Sequence, residues 1–476
     1  MLLPLIRKAL RLCGWLLPAY LLYALVFGVF SYILPVRAER STPPEQLLSQ
    51  TVGPDRAMLV EAPKDAFARR VEVIRSAQER LDVAYHCVKA GETTDCFFAE
   101  IVKAADRGVQ VRMLLDGAIG GLTGGHKNLA LALQAHPNIE FRGYNPVQLL
   151  KPWTWNVRLN DKFILADDAM LMLGGRNIGD EYFDPPGHDS RVTHDRDVIV
   201  LNTAAGQADS GSVTAQVRDY MDLLWTAKEA HADRPLRGRR LETGLAEQER
   251  LRSLSARWET DHPDYYTPAV PAEQLAVPTR HIQLLHNPLG AWKQAPELGA
   301  SLARLLAECE TVRIQTPYAT ANRDTLAALK AIASDAQVDF LTNSVSSTPN
   351  FPAFSAYQAR RQQFLDTGVR IHEYQSTDSI HGKSCTADGH LAVVGSFNLD
   401  DRSLYIDTES VLVIDSPEFC QVLDGCLDDL FAQSAQVGPD NRYLPDQAVP
   451  LVEASAGKRA LMRAVGVVSQ ALRFLI

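Results

Sequence analysis

Hydrophobic and polar positions divide this chain into two regimes. No charged residue occurs from Leu12 to Val36. Such a run is long enough for a helix that crosses a hydrocarbon core of about 30 Å. Trp15, Tyr20, Tyr23 and Tyr32 suit its interfaces, and Pro18 predicts a kink near its start. A cleaved signal peptide ending at "VRA" before Glu39 is the competing reading, although the apolar run is longer than such peptides usually show. Arg7, Lys8 and Arg11 precede the run, and Arg37, Arg40 and Arg56 follow it. That near balance barely orients the helix; the preferred arrangement puts the N-terminus inside and the body outside.

After a linker, "STPPEQLLSQTVGPDR", apolar positions recur with the periods of alternating helices and strands. In "DAFARRVEVIRSAQER" Phe67, Val71 and Ile74 share one helical face. "LDVAYHCV" and "VQVRMLLDG" read as strands, and "CFFAEIVKAADRG" as a helix stopped by Gly108. "LALALQAHPNIEFRGYN" adds a helix and a strand. The same succession returns in "LGASLARLLAECE", "TVRIQTPY", "RDTLAALKAIASD", "AQVDFLTNS" and "ARRQQFLDTGVRIHEYQ". Alternation of this kind predicts a largely parallel sheet packed by helices, and its recurrence predicts an internal duplication. The charged stretch "TAKEAHADRPLRGRRLETGLAEQERLRSLSARWETDHPDYY" reads as a largely helical connector between the copies. The expected organisation is an anchor over 1–40, a linker over 41–56, a first lobe with connector over 57–265, a second lobe over 266–445 and a C-terminal amphipathic helix over 446–476. That last helix either lies on a bilayer surface or packs on the body.

The duplication extends to chemistry. "RLNDKFILADDAMLMLGGRNIGDEYF" and "SIHGKSCTADGHLAVVGSFNLDDRSLY" superpose almost residue for residue. The second reads His381-x-Lys383-x4-Asp388, then Gly395, Ser396 and Asn398. The first reads Asn160-x-Lys162-x4-Asp167, then Gly174, Gly175 and Asn177. Alternation places the first and third residues of each motif on one face of a strand. Small residues let backbone approach a ligand, and lysine with amide donors, twice over, suits a tetrahedral phosphate oxyanion. A histidine beside it can attack phosphorus or carry a proton. Asp167 and Asp388 double as turn residues. "GGLTGGHKN" lacks the lysine–serine pair of a phosphate loop and reads as a connector. His86 and His126 have no matched partner and read as incidental.

Composition narrows the classes. The net charge of −9 disfavours nucleic-acid binding. Seven cysteines without a C-x-x-C pair point away from zinc or a disulfide scaffold. No Asp/Glu/His cluster calls for a metal, and no cofactor is expected.

The paired motif resembles that of the phospholipase D superfamily, whose signature is a duplicated H-x-K-x4-D. "GGRNIGDEYF", "GSFNLDDRSLYIDTE", "TNSVSSTPNFPAFSAY" and "LLHNP" are most similar to its bacterial, membrane-anchored, cardiolipin synthase-like branch. The resemblance, over roughly residues 55 to 440, implies an α/β fold of two tandem lobes with one site between them. It implies metal-free phosphodiester transfer through a phosphohistidine, with membrane phospholipids (phosphatidylglycerol, phosphatidylethanolamine or cardiolipin) as substrates. It also implies a bacterial inner-membrane location, where the preferred orientation of the apolar helix makes the body periplasmic, and an oligomer is compatible with it. By the same resemblance His381, Lys383, Asp388, Lys162 and Asp167 are catalytic. Asn177, Asn398, Gly175 and Ser396 meet the phosphate, and Glu409 and Asp197 orient the histidines. Asn160 stands where the first histidine belongs, and a carboxamide is neither nucleophile nor proton carrier near neutral pH. Three readings follow. His381 works alone, at a cost of typically ~10²–10⁴-fold for the lost acid; His188 or His194 substitutes; or the cleft binds lipid phosphate without turnover. A metal-independent nuclease is a further alternative, against which the anchor and the acidic balance weigh.

Overall fold

The computed structural model describes residues 2–122, 126–207, 210–445 and 447–476. The centre of "GGLTGGHKN" therefore lies outside the described residues. Two mixed sheets are stacked against each other, with helices on their outer faces.

The first sheet contains β1 (Asp55–Val60), β2 (Arg80–Tyr85), β3 (Gln110–Asp116), β4 (Ile139–Tyr144), β5 (Phe163–Ala166) and β6 (Met170–Gly174). The short β7 (Thr193–His194) lies outside it; β8 (Asp197–Asn202), β9 (Ala230–Ala232) and β10 (Val277–Pro278) complete it. Its order is β10-β1-β8-β6-β5-β2-β3-β4-β9. The second sheet begins with β11 (His281–His286), β12 (Thr311–Gln315), β13 (Gln337–Asn343) and β14 (Arg370–Tyr374). After the short β15 (Ser379–Ile380) it adds β16 (Ser384–Ala387), β17 (Leu391–Gly395), β18 (Ser410–Asp415) and β19 (Ser434–Gln436). Its order is β11-β18-β17-β16-β12-β13-β14-β19. In each sheet three strands joined through helices run parallel, as the alternating pattern requires: β2-β3-β4 and β12-β13-β14. The hairpins β5–β6 and β16–β17 that follow the two motifs pair antiparallel to them.

Strand alternation explains the layering. Leu171, Leu173, Val198 and Val200 face a core shared with Leu284, Val393, Val411 and Val413 of the second sheet. Their neighbours Met170, Met172, Ile199 and Leu201 face the helices on the other side. The lobes are also stitched at the site. β7 of the first lobe pairs in parallel with β15 of the second, and Leu159 bridges to Thr408.

Three expectations are modified. The strand read as "LDVAYHCV" stops at Tyr85, so His86 and Cys87 leave the sheet. The connector contributes β9 to the edge of the first sheet. Its helix Arg239–Asp261 packs on the helices Lys127–Ala135 and Glu92–Asp106, where Gln248 Nε2 donates to Ala132 O at 2.8 Å. The N-terminal helix runs Leu2–Gly28 with Pro18 inside it, and Trp15–Ile33 has a mean hydropathy of 1.9. It meets the body where Tyr20 and Tyr23 donate to Leu149 O and Leu150 O, each at 3.0 Å. The C-terminal helix Ala456–Ala471 packs on Phe351–Gln358, with Ser355 Oγ donating to Met462 O at 3.1 Å.

Candidate active site

Both motifs lie in extended segments just before a strand, β5 in one lobe and β16 in the other. Extended backbone still alternates, so Asn160 and Lys162 face the same side, as do His381 and Lys383. The intervening Asp161 points away, to Tyr220 OH and Thr408 Oγ1.

Asn160, His381 and Lys383 meet at one cavity of about 290 Å³, lined also by Asn177, Asn398, Tyr182, Tyr318, His86 and Arg402; Lys162 stands behind Asn160, donating to its Oδ1. A second recess of about 370 Å³ opens beside it and shares His381, Tyr182 and Tyr318. His381 sits edge-on between the rings of Tyr182 and Tyr318, at centroid distances of 6.1 and 5.7 Å.

On the second-lobe side, His381 Nδ1 lies 2.6 Å from Asp195 Oδ2. A carboxylate only accepts, so Nδ1 carries the hydrogen and Nε2 keeps its lone pair. Lys383 Nζ lies beside the ring, 2.9 Å from Nδ1 and 3.2 Å from Nε2, and donates to His381 O at 2.5 Å. Burial, then the Lys383 charge, lowers His381 to about 4, so its imidazole is neutral near pH 7. Burial lowers Lys383 to about 8 against the opposing pull of Asp195. Burial would raise Asp195, but Lys383 and His381 hold it well below the usual carboxylate range.

The first-lobe side mirrors this with an amide in place of the imidazole. Asn160 Nδ2 donates to Glu409 Oε1 at 2.8 Å, and its Oδ1 accepts from Lys162 Nζ at 2.6 Å. Ser396 Oγ also donates to Glu409, as does Ser403 Oγ at 2.5 Å. Burial pushes Glu409 up and Lys162 down, and each counters the pressure on the other. The arrangement is crossed: the first lobe supplies the carboxylate for His381, and the second supplies the one for Asn160. Asn177 Nδ2 donates to Tyr182 OH at 3.2 Å and Asn398 Nδ2 to Ser403 Oγ at 3.3 Å. Each amide retains a second N–H for a ligand oxygen. Among the described residues no three His, Cys, Asp or Glu side chains converge as a metal site would need.

Residues 71–225 and 302–430 match the profile of the family described as cardiolipin synthase, PLD-like domain. The chain belongs to this family. It is 28% identical over 424 residues to cardiolipin synthase C of Escherichia coli, an alignment covering 79% of this chain and 85% of that one. It is equally 28% identical over 424 residues to an uncharacterized protein of Helicobacter pylori, covering 79% and 80%. In structure it resembles the phosphatidylserine synthase of Haemophilus influenzae, with a TM-score of 0.63 at 15% identity over 91% of this chain and 99% of that one.

For this family member the structure sorts the sequence-derived candidates. His381, Lys383, Asn160, Asn177 and Asn398 line the cavity, and Lys162 reaches it only through the Asn160 amide. Gly175 and Ser396 stand one layer behind: a Cβ on Gly175 would meet Asp195 Oδ1 at 2.4 Å, whereas Ser396 reaches Glu409. Asp167 and Asp388 are elsewhere. They lie at the far ends of β5 and β16, five residues or roughly 16 Å of extended chain from the lysines. Asp167 accepts from the N–H groups of Gln78, Glu79 and Arg80, and Asp388 from those of Glu310 and Thr311. Both have positive φ, 50° and 49°, so they close turns.

Asp197 is the clearest correction. Its Oδ2 is 3.1 Å from both Arg70 Nη2 and Arg176 Nε, two fully buried cations. The carboxylate on His381 is Asp195, two residues earlier in "HDRDVIVL". Asp195 precedes β8, which starts at Asp197, and the chain there turns from its pairing with the second lobe into the sheet, so the two carboxylates part. His194 is beside the site only through its backbone, whose oxygen accepts from His381 N at 2.6 Å. Neither His188 nor His194 lines the cavity, and His86, which read as incidental, does.

Proposed function

We propose that this chain is a membrane-anchored phosphatidyltransferase that makes cardiolipin through a phosphatidyl-histidine intermediate on His381. The observation that carries this reading is His381 itself. Its imidazole is neutral, its Nδ1–H is held by Asp195, and it borders a cavity lined by Lys383, Asn160, Asn177 and Asn398. Nε2 attacks phosphorus, the P–O bond to one glycerol breaks, and a phosphatidylglycerol hydroxyl then displaces the histidine. Lys162, Lys383 and the second N–H groups of Asn177 and Asn398 stabilise the charge on the non-bridging oxygens.

Lipid as the substrate class is supported from two sides. Two of the three similar proteins are named as phospholipid synthases. An apolar cavity of about 400 Å³ also approaches Lys383 from behind, lined by Ala303, Ala328, Phe397 and Leu404, with Arg37 and Ala38 just after the apolar helix. It suits an acyl chain. The exposed Val147, Leu149 and Leu150 lie beside that helix and suit bilayer contact.

A second reading, lipid binding without turnover, is favoured by the engagement of the Asn160 amide with Glu409 and Lys162. One experiment separates them. Full-length protein in phosphatidylglycerol vesicles should release glycerol and accumulate cardiolipin, and His381→Ala should do neither. Absence of product from the native protein, with lipid binding retained, would establish the second reading.

A further inference from the structure

Two imidazoles line the catalytic cavity, those of His381 and His86. His86 is not one of the duplicated features. Ala84 pairs with Phe163, one residue after Lys162, and Gln315 pairs with Ser384, one residue after Lys383. Counting on by two gives His86 in one lobe and Pro317 in the other.

The side chain is oriented for work. Its Nδ1 lies 2.6 Å from Leu159 O, the carbonyl directly before Asn160. A carbonyl only accepts, so Nδ1 carries the hydrogen and Nε2 is the basic nitrogen. Among the described residues Nε2 makes no hydrogen bond, and it is not sealed among the buried unpartnered atoms. The ring keeps part of its surface open. Burial, then the charge of Lys162, holds the ring neutral in the free site. A bound phosphodiester anion supplies the opposite charge and favours the imidazolium.

We propose that His86 is the proton carrier that the first motif lacks, acting at Nε2 on the glycerol oxygens while His381 holds phosphorus. This rests on the phosphatidyltransferase reading above. In the first half-reaction the His381 Nε2–P bond forms and the P–O bond to the leaving glycerol breaks. His86 Nε2, having taken a proton from solvent as the anion binds, passes it to that oxygen. In the second, His86 Nε2 takes the proton of the incoming hydroxyl as its oxygen bonds phosphorus. The N–P bond breaks and its electron pair returns to His381. Over both halves His86 is unchanged.

The test compares native protein and His86→Gln, full length in vesicles, on two substrates. With phosphatidylglycerol the variant should lose about 10²–10⁴-fold in cardiolipin formation. With a phosphatidyl p-nitrophenyl ester the leaving p-nitrophenolate needs no proton. The first-turnover burst of His86→Gln should therefore fall far less than its turnover. Adding Asn160→His to His86→Gln should return part of the lost activity, because that imidazole would occupy the same cavity. Undiminished cardiolipin formation by His86→Gln would overturn the assignment while leaving the enzyme reading intact. So would equal losses in burst and turnover, which mark a structural role. If the native protein processes neither substrate, the enzyme reading falls and this inference with it.

Discussion

Replacing Asp195 and Asp197 each by asparagine separates the chemistry of the site from its scaffold within three residues. Asp195 Oδ1 accepts from Arg196 N at 2.8 Å and Oδ2 faces His381 Nδ1 at 2.6 Å. In Asp195→Asn the atom facing the Arg196 N–H stays an oxygen, so the new NH2 faces His381. The imidazole must then accept at Nδ1 and carry its hydrogen at Nε2, which caps the attacking lone pair. The lost charge-assisted hydrogen bond alone is worth about 1.5–3 kcal/mol, or about 10–150-fold in rate; the reversed tautomer adds to that. Asp197→Asn acts elsewhere. It removes the carboxylate shared by Arg70 and Arg176 and leaves two buried cations uncompensated. Breaking a buried pair costs about 3–5 kcal/mol. The assay is single-turnover formation of the phosphatidyl-enzyme beside a thermal melt in the same detergent. Asp195→Asn should lose the intermediate at a nearly native melting temperature, and Asp197→Asn should melt early while its folded fraction still reacts. Native-like intermediate formation by Asp195→Asn would refute the assignment of that carboxylate.

Three further outcomes are expected. Because the pKa of His381 is depressed to about 4, its reactive neutral form is present at every higher pH. With the p-nitrophenyl ester, whose leaving group needs no proton, intermediate formation should stay flat through neutral pH and fall only as pH drops towards 4, whereas loss of the Lys383 ammonium above about pH 8 should raise KM; an acid limb centred near 6.5 would contradict this. Asp388→Ala removes the acceptor of the exposed N–H groups of Glu310 and Thr311 and should cost about 0.5–1.5 kcal/mol of stability, with the rate per folded molecule unchanged; a rate loss without destabilisation would return Asp388 to the chemistry. Ala303→Phe, filling the apolar cavity, should displace three to four methylenes at about 0.8 kcal/mol each and raise KM for long-chain lipid about 10²-fold, but much less for short-chain lipid. Equal effects on both chain lengths would argue against an acyl site there.

The α/β lobes, their duplication and the apolar helix were legible because periodicity, turn residues and the repeated motif agree with one another. Lys162, Lys383, Asn160, Asn177, His381 and Asn398 were legible because their spacing is the same in both halves. What escaped depends on contacts between lobes. Asp195 reaches His381 only because β7 pairs with β15, and nothing local to "HDRD" distinguishes it from Asp197. His86 escaped because it has no partner at the matching position, where the second lobe has Pro317. It also sat inside an apparent strand whose last residues turn out of the sheet. Asp167 and Asp388 share the motif's regular spacing but serve its turns.

The central claim is a covalent intermediate on one histidine. Native protein in vesicles of phosphatidylglycerol labelled in its phosphate should be quenched within a turnover, digested and mapped. The account predicts label on the peptide containing His381, attached at Nε2 and absent from His381→Ala. Label on any other residue, or equal label in His381→Ala, would contradict it.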